Sequence, residues 1–432
     1  MEKISYPRLA EDLYRTVLPN GLTVLVVPKP GFTRKLAYFA TDFGAVHNHF
    51  TLDGREVHAP DGVAHYLEHK LFDMPGGRDV TAEFAALGAV PNAFTSHDLT
   101  VYYFSCTEGF EECLDLLLEY VSTPYFTEES VQKEQGIIGQ EIGMDADTPE
   151  SRVFQNLMKC MYRTHPVRVD VLGTVESISR ITPQILYDCH RAFYHPGNML
   201  LTVVGDVDPE EVERIAMTRL GNESAPTVEQ SREWPEEMAC ESSYVEATME
   251  VAMPMFQIGF KCEPLGKGAE AIRMEMVADL AAEALFGESS ALYLRLYETG
   301  LIDSAFGGGF ETIDGMAMLT VSGDSETPEA IRDALLEQAK LLIREGLGER
   351  EFLRMKRSAM GRRIRDLDSF SSTCFRLCAY HFCDYDYFRF PEIYETITAE
   401  DICEFLDRVV TPERCALSVI YPLEQEDAYE SQ

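Results

Sequence analysis

Residues 181–205 read ITPQILYDCHRAFYHPGNMLLTVVG, and residues 397–421 read ITAEDICEFLDRVVTPERCALSVIY. Each stretch predicts the same unit, in which a threonine caps a helix and a proline-containing turn leads into an apolar strand. Their offset is half of the 432-residue chain, so the sequence predicts two halves that are copies of one fold. Aligned without a gap, the stretches share Ile181/Ile397, Thr182/Thr398, Pro196/Pro412, Leu201/Leu417 and Val203/Val419.

A second pair of similar stretches lies upstream of the first pair. Residues 125–142 (YFTEESVQKEQGIIGQEI) resemble residues 346–364 (GLGEREFLRMKRSAMGRRI), and both begin in a turn and continue as a long helix. Between the halves, residues 221–245 are polar, acidic and interrupted by prolines, which is the composition of a linker. The predicted divisions are a first domain at 1–220, a linker at 221–245 and a second domain at 246–432.

Apolar strands are mixed with amphipathic helices in each half, which predicts the α+β class, with a sheet covered by helices. In the first half the clearest strands are predicted at 22–27, 100–105 and 200–204, and the clearest helices at 63–72, 109–122 and 127–145.

The chain is strongly acidic, with 73 acidic against 37 basic side chains and a formal net charge of −36. Nucleic acid and anionic membrane partners are therefore not expected, because their phosphates would be repelled over most of the surface. No apolar run reaches the roughly 18 residues of a membrane span, and no signal peptide is visible.

Eleven cysteines are scattered along the chain without paired metal-knuckle spacing. We expect them to be reduced thiols and the protein to be cytoplasmic. Cys374, Cys378 and Cys383 lie near His381 and could bind a metal, but buried free thiols on a helix are the favoured interpretation.

A metal-binding pattern stands in the sequence PDGVAHYLEHKLF at residues 60–72. His65 and His69 are four residues apart, so on a helix they project from one face and can share one zinc ion. Glu68 lies beside them, where a carboxylate can act as general base toward a zinc-bound water. The H-x-x-E-H order is the inverzincin signature.

A third ligand is available on the helix predicted around 127–145. Glu134 and Glu141 are seven residues apart and therefore share one face of that helix. One carboxylate would complete a His₂Glu set and leave the fourth zinc position open, as catalysis requires. The other could hydrogen-bond a ligand.

These motifs resemble the pitrilysin/insulinase zinc metallopeptidases, a family that includes the mitochondrial processing peptidase. The resemblance covers most of the first half and several motifs in order: GVAHYLEHKLF at 62–72, NAFTS at 92–96, EQGIIGQEI at 134–142 and FYHPGNMLL at 193–201. It implies two homologous halves, each a mainly antiparallel sheet covered by helices.

The resemblance also implies roles for single residues. It makes His65, His69 and Glu141 the ligands of one Zn²⁺ per chain, Glu68 the catalytic base and Glu134 a carboxylate behind the ligands. It further implies an edge strand on which an extended peptide substrate is laid, formed by Asn92, Ala93, Phe94 and Thr95. A strand edge binds peptides through main-chain hydrogen bonds, with little demand on their sequence.

The second half lacks the metal-binding residues. Aligning the two halves puts Asp279, Ala282 and Glu283 opposite the H-x-x-E-H residues, and Met355 and Arg362 opposite the two helix glutamates. The copy therefore keeps the fold pattern and not the metal, as the family resemblance implies for one of each pair of domains.

One departure concerns the substrate-holding Arg and Tyr, seven residues apart, that active relatives supply from a metal-free domain. Here Arg295 is followed seven residues later by Ile302, and a shift by one residue gives Leu296 and Asp303. We therefore expect the chain to be the zinc-bearing subunit of a dimer, with a related metal-free partner that supplies the pair.

The expected function is a zinc endopeptidase that acts on peptides or unstructured segments. Two alternatives stay open: a catalytically inert structural or binding subunit of the same fold, and a dedicated maturation peptidase for one small peptide. The zinc content of the purified chain separates the inert subunit from the enzyme.

Overall fold

The computed structural model describes residues 1–221, 225–230 and 234–423, which form two sheet-centred halves and one small extra sheet. The strands are β1 (Glu2–Tyr6), β2 (Glu11–Val17), β3 (Thr23–Pro28), β4 (Lys35–Thr41), β5 (His49–Leu52), β6 (Arg55–His58), β7 (Val90–Thr95), β8 (Thr100–Cys106), β9 (Met199–Gly205), β10 (Val228–Gln230), β11 (Tyr244–Met249), β12 (Met255–Cys262), β13 (Gly307–Ile313), β14 (Met316–Asp324) and β15 (Cys415–Pro422).

The helices fall into two similar series. Those of the first half are α1 (Val63–Lys70), α2 (Val80–Ala86), α3 (Phe110–Ser122), α4 (Glu128–Ala146), α5 (Pro149–Met161), α6 (Val175–Ile178), α7 (Pro183–Phe193) and α8 (Pro209–Arg219). Those of the second half are α9 (Ala269–Phe286), α10 (Ala291–Glu298), α11 (Pro328–Glu345), α12 (Glu349–Asp366), α13 (Phe370–Phe382), α14 (Phe390–Thr396) and α15 (Ala399–Val409).

The two large sheets have the same strand order. The first runs β1-β2-β3-β9-β4-β8-β7 and the second β11-β15-β12-β14-β13, so the five strands from β3 to β7 each have a counterpart. One pair in each sheet is parallel, β3 with β9 and β11 with β15, and the other pairs are antiparallel. The expected α+β class with two homologous, mainly antiparallel halves is confirmed.

The repeated sequence unit forms the same structure twice. Thr182 caps α7 by accepting from the Ile185 amide, and Thr398 caps α15 by accepting from the Asp401 amide. Each helix leads through a short proline-containing turn into an interior strand of its sheet, β9 or β15. All seven residues of β9 are buried, which explains the continuous apolar run in its sequence.

Each sheet is covered on one face by a helix from the other half. Helix α13 packs on β4 and β9, where Cys378 Sγ lies 3.6 Å from the Thr202 hydroxyl. Helix α5 packs on β11, β12 and β15, and Tyr162, just after it, donates to the Ala317 carbonyl at 3.2 Å. The halves are therefore joined by an exchange of helices and not only by the segment between them.

Described residues of the segment 221–245 contribute to two strands. Strand β10 pairs with β5 in the small sheet β10-β5-β6, and β11 begins at Tyr244. The division into 1–220, 221–245 and 246–432 stays a prediction. Among the described residues, no helix is both long and apolar enough to cross a membrane.

Candidate metal centre

A tight turn fixes the start of α1. Gly62, which precedes the helix, has φ +87°, a conformation that side-chain-bearing residues rarely adopt. A Cβ at this position would lie 2.4 Å from the Leu172 carbonyl oxygen, so the turn is packed closely against the loop before α6. The apolar side of α1 is buried in the core of the first half through Val63, Ala64, Tyr66 and Leu67.

Three candidate ligands meet between α1 and α4. His65 Nε2 lies 3.7 Å from Glu141 Oε1, and His69 Nε2 lies 3.7 Å from Glu141 Oε2. Ligand atoms of all three residues lie within 4.8 Å of one another. A tetrahedral zinc ion with ligands at about 2.0–2.1 Å separates them by about 3.3 Å, so this set fits one ion after a small inward movement.

Glu134 orients one of the two histidines. Its Oε1 accepts a hydrogen bond from His69 Nδ1 at 3.1 Å, which leaves the Nε2 lone pair directed toward Glu141. The buried Lys70 ammonium lies 3.7 Å from Glu134 Oε2 and also contacts Asp73. Lys70 directly follows the H-x-x-E-H motif, but no sequence pattern indicated its contact with Glu134.

Burial and the neighbouring charges shift the pKa values of the cluster in different directions. Burial lowers the pKa of His65 to about 3, so its imidazole is neutral and able to coordinate. Burial would raise the pKa of Glu134, but the hydrogen bond from His69 and the Lys70 charge hold it below its usual value. The pKa of His69 is raised despite its burial, because the surrounding carboxylates favour positive charge.

Glu68 lies beside the ligand set and contacts the edge strand. Burial raises the pKa of its carboxyl, and a hydrogen bond from Thr95 opposes that rise. Thr95 Oγ1 donates to Glu68 Oε2 at 2.6 Å. Strand β7, which carries Asn92, Ala93, Phe94 and Thr95, is the last strand of its sheet and has only β8 as a neighbour among the described strands.

The contact between Thr95 and Glu68 was not expected from the sequence, which gave Thr95 only a place on the substrate strand. The two residues belong to different elements, and no local pattern connects them. The structure thus brings His65, His69, Glu141, Glu134 and Glu68 together and adds Thr95.

Ion pairs occupy the equivalent place in the second half. The residues aligned with the candidate ligands, Asp279, Glu283 and Arg362, lie on α9 and α12. Arg362 Nη2 donates to Glu283 Oε2 at 3.0 Å, and the neighbouring Arg363 donates to Asp279 Oδ2 at 2.8 Å. Two ion pairs therefore join α9 and α12 at the place where the first half brings imidazole and carboxylate together.

The stretch where the family resemblance implies an Arg and a Tyr forms α10 and the turn after it. Arg295 lies in the last turn of α10, and Ile302 is buried in the core of the second half. Tyr297, two residues after Arg295, is 52% exposed. The spacing of seven residues is thus absent from this stretch, as the sequence indicated.

The cysteine cluster belongs to the core. Cys374 and Cys378 are buried on α13, facing the first sheet, and Cys383 follows the helix. All eleven cysteines are free thiols.

Comparisons with known proteins identify the family of the chain. Residues 55–175 match the family described as insulinase (peptidase family M16), and residues 180–359 match the peptidase M16 inactive domain. The chain is 39% identical over 433 residues to the "Uncharacterized zinc protease YmfH" of Bacillus subtilis (strain 168), covering 98% of this chain and 99% of the relative.

Solved structures have the same fold. An M16-like peptidase from Alicyclobacillus acidocaldarius superposes with a TM-score of 0.92 at 30% identity, over 97% of this chain and 100% of the other. A protease from Helicobacter pylori has the same fold, with a TM-score of 0.79 at 19% identity, over 95% of this chain and 99% of the other.

Proposed function

Because the chain belongs to the insulinase family, peptidase M16, we propose that it is a zinc-dependent endopeptidase acting on peptides or unstructured segments. The observation that carries the proposal is the convergence of His65, His69 and Glu141, with Glu68 beside them. The relatives that match over most of the chain are named as zinc protease and M16-like peptidase, which supports a peptidase.

The residues of the candidate centre have two roles, binding the metal and orienting a ligand. His65, His69 and Glu141 would hold the ion, and Glu134 fixes the orientation of the His69 ring. Zinc, when bound, supplies Lewis-acid polarisation of the scissile carbonyl and lowers the pKa of water.

Glu68 is the group that moves the proton. Its burial and raised pKa suit a carboxylate that takes a proton from the attacking water and passes it to the leaving amine. The Thr95 hydroxyl holds one oxygen of Glu68 and leaves the other oxygen for that transfer. The substrate would lie as an extended segment along the free edge of β7, next to this carboxylate.

The substitution Glu68→Gln tests the enzymatic assignment. The variant should retain zinc, because Glu68 is outside the ligand set, and should cleave a mixed peptide library about 10²–10⁴-fold more slowly. Glu129 is exposed on α4, so Glu129→Gln makes the same chemical change outside the ligand set. This variant is the matched control and should leave cleavage unchanged. Normal turnover by Glu68→Gln, or a wild-type chain that binds no zinc, would instead favour the inert binding subunit.

We further propose that the active form is a dimer in the cytoplasm, with a related metal-free subunit that supplies an Arg/Tyr pair. The support is the absence of that pair around Arg295 and the eleven free thiols. Light scattering gives the oligomeric state, and peptide cleavage is measured with and without the metal-free relative. Full activity of the chain as a monomer would contradict the dimer proposal.

A further inference from the structure

A second group of metal-ligating side chains lies on the hairpin of β5 and β6. His49 and His58 stand directly opposite each other in the antiparallel register, and Glu56 is two residues before His58. Residues two apart on a strand point to the same side of the sheet, and so do directly paired residues. All three side chains therefore share one face of the hairpin.

The ring nitrogens of both histidines converge on one carboxylate oxygen. His49 Nε2 lies 3.1 Å from Glu56 Oε1, and His58 Nε2 lies 3.3 Å from the same atom. The two imidazole rings are stacked with centroids 3.9 Å apart. Ligand atoms of the three residues lie within 4.8 Å of one another, as do those of the centre on α1 and α4.

These spacings match the coordination shell of one zinc ion. Ligands at about 2.0–2.1 Å in a tetrahedron are about 3.3 Å apart, which is close to both nitrogen–oxygen distances on the hairpin. The donor set is two imidazoles and one carboxylate, the same as in the candidate catalytic centre. Imidazole-rich sets favour zinc, nickel and copper over magnesium and calcium, which prefer oxygen ligands.

We propose that His49, Glu56 and His58 form a second divalent-metal site, specific for zinc or a neighbouring late transition-metal ion. The side chains are 49%, 66% and 64% exposed, respectively, so the ion is reached directly from solvent and water completes its coordination. Among the described residues, neither imidazole has a carboxylate or backbone group hydrogen-bonded to its other ring nitrogen, Nδ1. This site therefore binds more weakly than the centre at His65 and is the first to be emptied by a chelator.

The place of the site in the chain suggests what the metal does. The hairpin runs into the turn before α1, where the Ala59 amide donates to the Asn48 carbonyl at 2.7 Å. The Asn48 side chain donates to Asp61 Oδ1 at 2.6 Å, one residue before the turn at Gly62. A metal ion that joins His49 to His58 closes the open end of this hairpin and stabilises the approach to the catalytic helix.

Zinc titration of the chelator-stripped full chain tests the site, by calorimetry and by elemental analysis after gel filtration. Wild type should bind two ions per chain, and His49→Ala/His58→Ala should bind one. Glu56→Gln, which keeps the shape of the side chain, should weaken the second event at least tenfold. Thr51→Ala, on the same hairpin with all three ligands intact, is the matched control and should still bind two.

Variants of the other centre separate this proposal from the proposed function. His65→Ala/His69→Ala should lose the tighter event and keep the hairpin event. One ion per chain in wild type, unchanged by His49→Ala/His58→Ala, would overturn the hairpin site and leave the peptidase assignment standing. A second zinc ion that binds only at free zinc well above about 100 μM would also overturn the proposal, because side chains scattered over the surface bind zinc that weakly.

The thermal midpoint supplies an independent readout. Zinc binding to the folded hairpin raises the midpoint through mass action, so wild type should gain a larger zinc-induced shift than His49→Ala/His58→Ala. Equal shifts in the two proteins would contradict the proposal.

Discussion

The Thr95 hydroxyl joins the edge strand to the candidate catalytic base. Its 2.6 Å hydrogen bond fixes one oxygen of Glu68, and a general base is effective only when it is held within reach of the proton it takes. In the proposed mechanism, Thr95 is therefore a positioning residue for Glu68 as well as part of the edge strand.

Replacing Thr95 by valine should lower kcat about tenfold, because one hydrogen bond to a charged group contributes about 1.5 kcal/mol. Zinc content should not change, since Thr95 contacts no candidate ligand. Thr95→Ser keeps the hydroxyl and should restore most of the rate. Steady-state peptide cleavage with parallel metal analysis measures both, and an unchanged kcat in Thr95→Val would contradict the role.

Glu134 supports the candidate metal centre through its hydrogen bond with His69. The carboxylate accepts a charge-assisted hydrogen bond from His69 and makes the imidazole more basic, whereas a neutral carboxamide oxygen accepts a weaker one, so Glu134→Gln should weaken zinc binding about 10–100-fold. Competition with a chromogenic chelator measures the affinity. Glu128→Gln, exposed on the first turn of the same helix, should behave as wild type. Equal affinities for all three proteins would show that the His69 contact is dispensable.

Much of the candidate site was predictable from spacing alone. Residues four apart on α1 and seven apart on α4 must share a helix face, whatever the rest of the fold does. The contact of Glu68 with Thr95 was not predictable, because it joins a helix to a separate strand and depends on how the two pack. The Asp53-Gly54 turn was an available hairpin signal that would have paired His49 with His58.

At the scale of elements, helix α5 packs closely on β12 of the other half. A Cβ built at Gly259 of β12 would lie 2.4 Å from Met161 Sδ and 3.1 Å from Leu157 Cδ2. Helix and strand therefore approach each other at a position where only glycine fits without movement.

Gly259→Ala should lower the free energy of unfolding by about 1–3 kcal/mol through overpacking. Met161→Ala alone should cost about 2–5 kcal/mol because it leaves a cavity. The double variant should be destabilised by less than the sum, because the new methyl enters that cavity. Urea unfolding of all four proteins gives the coupling, and strict additivity would mean that the two residues do not share this space.

The predicted limits of the helices and strands were close to the observed ones. The sequence did not predict which of these elements pack against each other. The helix expected at 109–122 is α3 (Phe110–Ser122), because its apolar spacing is a local property. The exchange of α5 and α13 could not be foreseen, since an apolar helix face does not specify which sheet covers it. Cys374 and Cys378 illustrate this: their burial was expected, but their contact with the first sheet was not.

At the scale of the whole molecule, Glu236 anchors the segment between the halves. Its carboxylate accepts from the His165 amide of the first half and from Lys261 Nζ on β12, both at 2.8 Å. Burial opposes ionisation, but the Lys261 ammonium and the backbone amides lower the pKa of Glu236 to about 2.

A lowered pKa makes this contribution pH-dependent. Glu236 stabilises the fold fully above its unfolded pKa of about 4.3, and the contribution is lost as pH falls toward about 2. Glu236→Gln should therefore reduce the free energy of unfolding by up to about 2 kcal/mol at pH 5.5 and by progressively less at pH 4.5 and 3.5. Urea unfolding at these pH values measures the difference, with the exposed Glu237→Gln as control. A difference independent of pH would exclude the ionised carboxylate as its source.

The exchanged helices have a consequence for the ancestry of the chain. Two protomers that exchange one helix form a domain-swapped dimer. If two such protomers are joined end to end in one chain, the result is the present arrangement of α5 and α13. After such a gene fusion, either copy can lose its metal ligands, but neither can lose its traded helix without uncovering the sheet of the other copy. Among aligned relatives, substitutions on α5 should therefore co-vary with β12 and β15, and those on α13 with β4 and β9, across the boundary between the duplicated halves.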